Sequence, residues 1–432
     1  MTEKQIEYGL LSLAEEFGEE KVNKAIEAIE KFKVEIPTWV FGEFGGGRFG
    51  GYMPPGFARD INEKLDDAAY VKKLTDAVDG LATHTLWDYS LDGMSGSFEI
   101  ARQVLHEAKK RGLKLGSISP TYFLKGSHRG SFSSDESETR EKYIEQTILS
   151  AKIAQELANG LITIWLPDGS NYPGQVELRK SYNNTKESLK EVAAEIAKIN
   201  KSSENKVKAL IEYKVFEPGT YSTVLSDWGS SYLIAKEFGE NGGVLIDMGH
   251  HYHSANVEQI IAKLLIEGVF GGFHFNTRYA ADDDHAVEPN PEMARIFYEL
   301  VSGGGIFGKN NWALMIDQCS SREKRIPAIL HSIDSLQLSL AKGMLVEQQL
   351  LSKYQKEDEI ILANRLFNNA IMNADVRPIV AKARLNKNLP LDPIQEYNES
   401  GYQEMIEIGR AEKLIVQPNK FIRDEFIAED RL

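Results

Sequence analysis

The chain is almost without cysteine. Cys319 is the single one among 432 residues, so an intrachain disulfide is impossible and a zinc site built on cysteine thiolates is excluded. Long apolar runs are missing as well, since no stretch reaches the roughly 20 residues that a membrane-spanning helix needs. Residues 1–20 are charged and amphipathic, which is not the pattern of a signal peptide. We therefore expect a cytoplasmic protein without a membrane partner.

Positive charge is also scarce. Lys and Arg number 50 against 64 Asp and Glu, which gives a formal net charge of -14 at pH 7. This balance argues against a nucleic-acid backbone or an anionic membrane as the main partner, and it favours neutral molecules or cations. The chain is 42% hydrophobic, enough for a large core. Its length exceeds the roughly 250 residues of a plain (β/α)8 barrel.

Eight short apolar runs alternate with helical patterns along most of the chain. The runs cover residues 34–40, 81–87, 113–119, 161–166, 207–214, 244–247, the segment from 271, and 312–317. Strands that alternate with helices predict a parallel sheet, and eight such units predict a closed TIM barrel. We predict this barrel over residues 34–330, an N-terminal helical segment over 1–33 and a helical C-terminal extension over 331–432. So long an extension favours contact with a neighbouring subunit.

Residues 271–284 read Gly-Gly-Phe-His-Phe-Asn-Thr-Arg-Tyr-Ala-Ala-Asp-Asp-Asp. The two glycines in a short apolar run predict a buried strand that a ligand or another backbone approaches closely. His274 lies near the end of this run, and Asp282 and Asp284 follow two residues apart. An imidazole and a pair of carboxylates are ligands for a hard or borderline divalent cation. For the aspartates alone, a solvated acidic loop is the alternative.

Further polar residues lie at the ends of the other predicted strands. In a barrel these carboxyl ends meet at one face, where the active site lies. The strand-end residues are His84, Trp87, Trp165, Glu212, Lys214, Asp247, His250 and Asp317. Acids and imidazoles at four successive strand ends are costly in a barrel unless a cation compensates their charge. Their number predicts two metal ions.

Each of these residues also has a structural explanation when it is taken alone. An aspartate such as Asp247 or Asp317 at a strand end often caps the next helix. Trp87 and Trp165 are consistent with core packing, and Lys214 with an ion pair to the glutamate two residues before it, on the same face of the strand. The prediction of a site therefore depends on the convergence of the whole set.

Together the motifs resemble those of L-rhamnose isomerases, in the branch with broad aldose–ketose specificity among the xylose isomerase-like barrels. The matching segments are residues 83–88, 165–171, 212–214 with 221–223, 247–251, 271–284 and 315–318. The resemblance covers the chain from about residue 34 to 317, with weaker similarity on either side. Tyr213 departs from the pattern, since some relatives have histidine there.

The resemblance implies an isomerase that moves a carbonyl between C1 and C2 of a monosaccharide. L-rhamnose and L-rhamnulose are the implied pair, with D-allose and D-allulose as related sugars. The implied cofactors are two divalent ions, Mn²⁺ first, with Co²⁺, Mg²⁺ or Zn²⁺ as alternatives. One ion, structural but also bound to substrate oxygens, would be held by Glu212, Asp247, His274 and Asp317. The catalytic ion would be held by His250, Asp282 and Asp284, with Asp247 bridging.

The resemblance also implies roles around these ions. Asp317, Lys214 and His250 form the implied catalytic set, with Lys214 near C1 of the sugar. His84, Trp87 and Trp165, together with Lys214 and Phe49, would bind the substrate. Phe49 matches an aromatic residue that in relatives reaches over the site of a neighbouring subunit, which implies a homo-oligomer, a tetramer. We interpret His251 and His253 as bystanders.

Two other functions compete with this interpretation. A metal-dependent phosphodiesterase of the apurinic-endonuclease kind also uses His, Asp and Glu on a barrel, but the acidic net charge counts against it. A non-catalytic sugar-binding barrel is the second alternative, because a fold does not determine a function. The complete set of ligand residues counts against that alternative.

Overall fold

The fold is built around a ring of eight parallel strands. The structure, a computed structural model, describes residues 1–42, 55–124, 126–217, 221–279, 285–304, 306, 311–319 and 323–414. The barrel strands are β1 Val34–Pro37, β2 Val78–His84, β3 Leu115–Ser119, β4 Leu161–Trp165, β5 Lys208–Glu212, β6 Gly242–Asp247, β7 Phe270–Phe275 and β8 Ala313–Ile316. They close in the order β1-β8-β7-β6-β5-β4-β3-β2 with every pairing parallel. The predicted TIM barrel is confirmed.

Helices surround this ring and continue beyond it. They are α1 Glu3–Phe17, α2 Glu19–Lys31, α3 Ile61–Thr75, α4 Thr85–Asp88, α5 Phe98–Lys110, α6 Ser137–Leu157, α7 Leu178–Lys201, α8 Trp228–Glu237, α9 Val257–Ile266, α10 Pro291–Ser302, α11 Arg325–Leu345, α12 Gln348–Lys356, α13 Ile360–Asn368, α14 Arg377–Asn386, α15 Pro393–Glu399 and α16 Tyr402–Leu414. Short 3₁₀ helices cover Thr38–Phe41, Ser127–Arg129 and Gly239–Asn241, and a π turn covers Asn369–Asn373. No helix in the described part of the chain is long and apolar enough to cross a membrane.

The second strand begins and ends three residues earlier than the sequence predicts. We predict a strand over residues 81–87, but β2 ends at His84 and the next residues turn into the short helix α4. The carboxylate of Asp88 explains this correction, because it accepts a hydrogen bond from the backbone N–H of His84 at 2.8 Å. The same carboxylate accepts from the Thr38 hydroxyl at 2.6 Å and from the Lys64 ammonium at 2.9 Å. Trp87 therefore lies on a helical turn.

The described part of the C-terminal extension, up to residue 414, is helical, as predicted, and it packs against its own barrel. Arg410 on α16 donates to both carboxylate oxygens of Asp67 on α3, at 2.7 and 2.8 Å. Nearby, the rings of Tyr402 and Tyr70 stack with centroids 4.0 Å apart. The predicted division at residue 330 falls inside α11, which packs against α10 and α2. Contact of the extension with a neighbouring subunit stays a prediction.

A glycine brings the last two strands close together at the level of the site. Gly272 on β7 has φ +149°, and a Cβ atom there would lie 2.1 Å from the carbonyl oxygen of Ala313 on β8. Any side chain would therefore push these strands apart. This is the close backbone approach that the glycine pair predicts. It holds His274, two residues further along β7, next to the residues that end β8.

Candidate metal centre

The strand register gathers acids and imidazoles at the carboxyl end of the barrel. Asp247 at the end of β6 pairs directly with His274 on β7, so their side chains lie next to each other. Asp317 follows β8, and its backbone N–H donates to the carbonyl oxygen of Phe275 at 2.9 Å. Glu212 is the last residue of β5. Strand-end position and parallel pairing thus suffice to bring these four side chains to one point.

His274 lies at the centre of three carboxylates. Its Nδ1 atom is 3.3 Å from an oxygen of Asp317, 3.4 Å from one of Glu212 and 3.7 Å from one of Asp247. The histidine, the glutamate and Asp247 are buried, with exposed fractions of 3%, 4% and 1%. Three acceptor oxygens around one ring nitrogen are more than a single N–H group can satisfy.

His250 adds a second imidazole from the loop after β6. Its Nδ1 atom lies 3.0 Å from the backbone carbonyl oxygen of Tyr213 and 3.2 Å from a carboxylate oxygen of Glu212. A carbonyl oxygen only accepts, so in the neutral ring Nδ1 carries the proton and Nε2 keeps its lone pair. That Nε2 atom is 4.0 Å from Asp247. His250 is therefore held in the tautomer that can bind a cation on the side of Asp247.

Two ligand triplets share one residue. Glu212, Asp247 and His250 form one, and Asp247, His274 and Asp317 form the other; in each, one potential ligand atom per residue lies within 4.8 Å of the others. The structure thus brings together five of the predicted ligands, with Asp247 common to both groups. Predicted ligands Asp282 and Asp284 lie outside the described residues, and so does Phe49.

The ends of the segment that carries Asp282 and Asp284 are joined at the edge of this centre. Thr277 and His285 form an isolated antiparallel bridge, in which the backbone N–H of Thr277 donates to the carbonyl oxygen of His285 at 3.2 Å. The Thr277 hydroxyl also donates to the carbonyl oxygen of Ala286 at 2.7 Å. This bridge lies three residues beyond His274.

Mutual electrostatics shift the ionisation of these groups. Burial raises the pKa of Asp247 to about 6, with Glu212 and Asp317 adding to the shift. Burial alone would lower the pKa of His250, but Asp247 and Glu212 raise it to about 9. Burial alone would raise the pKa of Glu212, but the neighbouring imidazoles of His274 and His250 lower it more strongly. Its pKa therefore lies well below the ordinary value. Protons on the histidines therefore balance the carboxylates wherever no metal ion does so.

His274 provides the test of whether a metal ion fits. Both of its ring nitrogens are buried, and neither has a hydrogen-bond partner among the described residues. An unsatisfied buried polar group costs about 1–3 kcal/mol, so a native structure needs a reason for it. A divalent cation that accepts the Nδ1 lone pair and faces the surrounding carboxylates supplies that reason, since carboxylate and imidazole donors suit such ions. The residues present fit the predicted metal.

Neighbouring side chains hold two of the carboxylates in place. The amide nitrogen of Asn276 lies 3.1 and 3.2 Å from the two oxygens of Asp247. The indole N–H of Trp39 donates to an oxygen of Asp317 at 2.9 Å. Such outer contacts orient metal ligands and tune their basicity. Our sequence analysis did not select either residue, although both follow the carboxyl end of a barrel strand.

The opposite side of the barrel mouth is aromatic. Trp39, His84, Trp87, Phe123 and Trp165, here called the aromatic arc, contact one another in sequence. His84 stacks on Trp87 with centroids 3.9 Å apart and lies edge-on to Trp39 at 5.8 Å. Phe123 bridges Trp87 and Trp165 at 5.8 and 5.7 Å. Burial lowers the pKa of His84 to about 3, so its ring stays neutral and behaves as part of this wall.

Lys214 closes the arc at its far end. Its ammonium lies 5.2 Å from the centroid of Trp165 and 3.0 Å from a carboxylate oxygen of Glu217. The lysine is buried, at 4% exposure. A small antiparallel sheet of Gly169–Ser170, Phe216–Glu217 and Tyr221–Thr223, which our sequence analysis did not predict, positions this segment. The site thus has one buried ammonium between an aromatic and an acidic side.

Comparison with known proteins supports the fold and relates the chain to sugar isomerases. The family described as xylose isomerase-like TIM barrels matches residues 76–294. A probable sugar isomerase of Mesorhizobium japonicum is 32% identical over 400 residues, which is 89% of each chain. A probable sugar isomerase of Rhizobium meliloti is 31% identical over 396 residues, covering 88% of this chain and 87% of the relative.

Solved structures with the same fold are more distant. The structure of L-ribulose 3-epimerase superposes with a TM-score of 0.52 and 14% sequence identity, over 76% of this chain and 98% of that one. At this identity the likeness shows the barrel fold alone.

Proposed function

The chain belongs to the xylose isomerase-like TIM barrel family, and we propose that it is a metal-dependent aldose–ketose isomerase. The observation that carries the proposal is the pair of buried ligand triplets that share Asp247. Relatives with 31–32% identity over nearly the whole chain bear the description of probable sugar isomerase. A set of three carboxylates and two imidazoles, of which only Asp317 is partly exposed, suits divalent ions better than any other occupant.

The proposed ligand sets use the residues of both triplets but assign Glu212 to the ion at His274, whose Nδ1 lies 3.4 Å from a Glu212 oxygen. One ion would be held by Glu212, Asp247, His274 and Asp317. The other would be held by His250, Asp282 and Asp284, with Asp247 between the two. When bound, divalent ions act as Lewis acids on the oxygens of a sugar. Mn²⁺ is the proposed occupant, and Co²⁺, Mg²⁺ and Zn²⁺ are compatible with the same ligand types.

The remaining residues of the site would bind and orient the sugar. The Lys214 ammonium would donate a hydrogen bond to the oxygen on C1, from a position fixed by Glu217 and Trp165. Asp317 would exchange the hydroxyl proton, because it is more exposed than the other two carboxylates of the centre. Trp87 and Trp165 would cover the C–H faces of the sugar and exclude water.

The proposed substrate pair is L-rhamnose and L-rhamnulose, with D-allose and D-allulose as further substrates. The motifs at residues 83–88, 165–171 and 247–251 support this choice, and so does the apolar wall opposite the ligands. The proposed enzyme is a cytoplasmic homotetramer, in which Phe49 of one subunit would reach the site of another. Native mass spectrometry tests the subunit number.

The deciding experiment is a panel of aldoses, incubated with the purified protein and Mn²⁺, with ketose formation as the readout. We expect conversion of L-rhamnose that is lost after treatment with EDTA and dialysis, and restored by Mn²⁺. Activity that survives exhaustive metal removal would contradict the metal dependence. Cleavage of abasic DNA without any sugar conversion would favour the phosphodiesterase, and binding of sugars without conversion would favour a non-catalytic barrel.

The path of the hydrogen gives a second, independent readout of the same assay. Glu212, Asp247 and Asp317 each have a carboxylate oxygen within 3.7 Å of Nδ1 of His274. The described carboxylates of the centre are therefore engaged, and they are poorly placed to remove a proton from a sugar carbon. We therefore expect direct transfer of hydrogen between C2 and C1, and deuterium at C2 of the aldose should appear at C1 of the ketose. Loss of the label to solvent would indicate an enediol route with a proton-transferring base.

A further inference from the structure

A buried tyrosine, Tyr213, contacts the proposed metal ligand His250 through its backbone carbonyl. Tyr213 directly follows Glu212, the last residue of β5, and is 1% exposed. Its backbone carbonyl oxygen lies 3.0 Å from Nδ1 of His250. Its hydroxyl oxygen lies 2.7 Å from Nε2 of His251, which is also buried. Two consecutive histidines of the loop after β6 therefore contact the two ends of one residue.

The direction of each hydrogen bond follows from the acceptors. Nδ1 of His251 lies 3.3 Å from the carbonyl oxygen of Met248, which can only accept. Nδ1 of His251 therefore carries the ring proton, and Nε2 accepts from the hydroxyl of Tyr213. The two rings meet edge to face, with centroids 5.2 Å apart at 88°. This contact fixes the Tyr213 side chain, and with it the backbone carbonyl that faces His250.

We propose that Tyr213 and His251 are positioning residues for His250. The bond between the hydroxyl and the imidazole holds the Tyr213 carbonyl in place, and that carbonyl sets the tautomer and direction of the metal-binding Nε2 atom of His250. The inference rests on the proposed function, since it takes His250 as a metal ligand. It changes the interpretation of His251, which our sequence analysis takes as a bystander.

The expected effect is specific to one of the two ions. Partners in the outer shell of a metal ligand typically contribute about 10–100-fold to metal affinity. In Tyr213→Phe the ring keeps its shape, but Nε2 of His251 loses its donor inside a buried site. The affinity of the ion held by His250 should fall by about 10–100-fold. The ion between His274 and Asp317 should bind as in the parent protein, because the Tyr213 hydroxyl and carbonyl hydrogen bonds in the described part of the chain go to His251 and His250.

The test is a titration of the metal-free full chain with Mn²⁺, followed by electron paramagnetic resonance and by calorimetry. Tyr122→Phe is the matched control, because Tyr122 is equally buried and its hydroxyl lies 2.8 Å from that of Thr147, away from the ligands. Both variants lose one buried hydroxyl bond, but only Tyr213→Phe should weaken Mn²⁺ binding. Excess Mn²⁺ should restore its isomerase activity.

Histidine variants keep the inference testable should Tyr213→Phe fail to fold. His251→Gln keeps an oxygen that can accept from the Tyr213 hydroxyl and should retain most of the affinity, whereas His251→Leu should lose it. Unchanged affinity in Tyr213→Phe, or equal loss in Tyr122→Phe, would overturn the positioning role. A parent protein that binds no Mn²⁺ would instead reject the proposed metal centre itself and this inference with it.

Discussion

The two halves of the barrel mouth are chemically different. The ends of β1 to β4 contribute the aromatic arc, whereas the ends of β5 to β8 contribute Glu212, Asp247, His274 and Asp317. In the second half each carboxylate lies within hydrogen-bonding or ionic distance of an imidazole. In the first half the contacts are between rings, 3.9 to 6.1 Å from centroid to centroid.

This difference separates two kinds of requirement. Buried charges need partners at fixed distances, because an uncompensated charge costs several kcal/mol. Ring contacts are worth only about 0.5–1.5 kcal/mol beyond burial and tolerate small displacements. We therefore expect the acidic half to decide whether the chemistry occurs, and the aromatic half to decide which sugar is held and how tightly.

The largest effect should come from the residue that both ligand triplets share. Asp247→Asn removes the negative charge between the two proposed ions, so we expect loss of Mn²⁺ binding at both sites. Turnover should fall by at least about 10³-fold, or about 4 kcal/mol of transition-state stabilisation. Metal titration and sugar isomerisation measure the two losses.

The matched control is Asp168→Asn, at the end of the aromatic half. Asp168 follows β4, is buried, and accepts hydrogen bonds from Ser131 and Ser133 at 2.8 to 2.9 Å. This variant should lose stability but keep its affinity for Mn²⁺. If both aspartate variants bound metal equally well, the division of the mouth into two halves would be wrong.

The sequence predicts the acidic half of the mouth more completely than the aromatic half, for a physical reason. Acids and imidazoles at successive strand ends have few structural explanations, so Glu212, Asp247, His274 and Asp317 stood out before any geometry was known. A tryptophan at a strand end fits a core equally well, and Trp39 and Phe123 were not selected. Their role depends on where the 3₁₀ helix Thr38–Phe41 and the loop after β3 place the two rings. No local sequence pattern predicts that placement.

The eight strands were predictable for a similar reason, whereas their exact ends were not. Alternation of apolar runs with helices identifies the barrel regardless of the loops. The end of β2 at His84 depends on the carboxylate of Asp88, which closes a turn through Thr38 and Lys64 from elsewhere in the chain. Likewise, the contacts of Asn276 and Tyr213 join separate strand ends and become visible only when the barrel is closed.

Metal binding should stabilise the halves to different degrees. A ligand at 100 times its dissociation constant adds about 2.7 kcal/mol to the free energy of unfolding, and here it also relieves repulsion among two buried carboxylates and the partly exposed Asp317. We expect a higher melting temperature with Mn²⁺. Hydrogen exchange should slow mainly at the carboxyl ends of β5 to β8. Equal protection around the whole ring would show that the metal acts on the barrel as one unit.

Trp39 joins the two halves, and its replacement should have an intermediate effect. Trp39→Phe keeps a ring in the arc but removes the N–H that donates to Asp317 at 2.9 Å. Hydrogen bonds to charged groups contribute about 1.5–3 kcal/mol, so Mn²⁺ affinity should fall by roughly 10–100-fold. Trp312→Phe, just before β8 at the opposite end of the barrel, is the control. A change in sugar affinity alone would assign Trp39 to the aromatic half.

The smallest effect should be confined to substrate affinity. Phe123 contacts His84, Trp87 and Trp165 in the middle of the arc, and its ring is partly exposed to the mouth. Phe123→Leu keeps an apolar side chain but loses ring contacts worth about 0.5–1.5 kcal/mol. KM for the sugar should therefore rise about 2–10-fold, with little change in kcat or in Mn²⁺ affinity.

Phe132→Leu controls for a general loss of packing, because Phe132 lies in the same connection after β3 but is fully buried against Tyr122, with centroids 5.1 Å apart. That variant should lose stability without a change in KM. An unchanged KM in Phe123→Leu would remove this residue from the substrate surface. Weaker Mn²⁺ binding in Phe123→Leu would be the more informative result. It would show that a ring without a described contact to a metal ligand still helps to position that ligand. Such coupling would pass along the arc through His84 or Trp87 to Trp39, and from its indole N–H to Asp317.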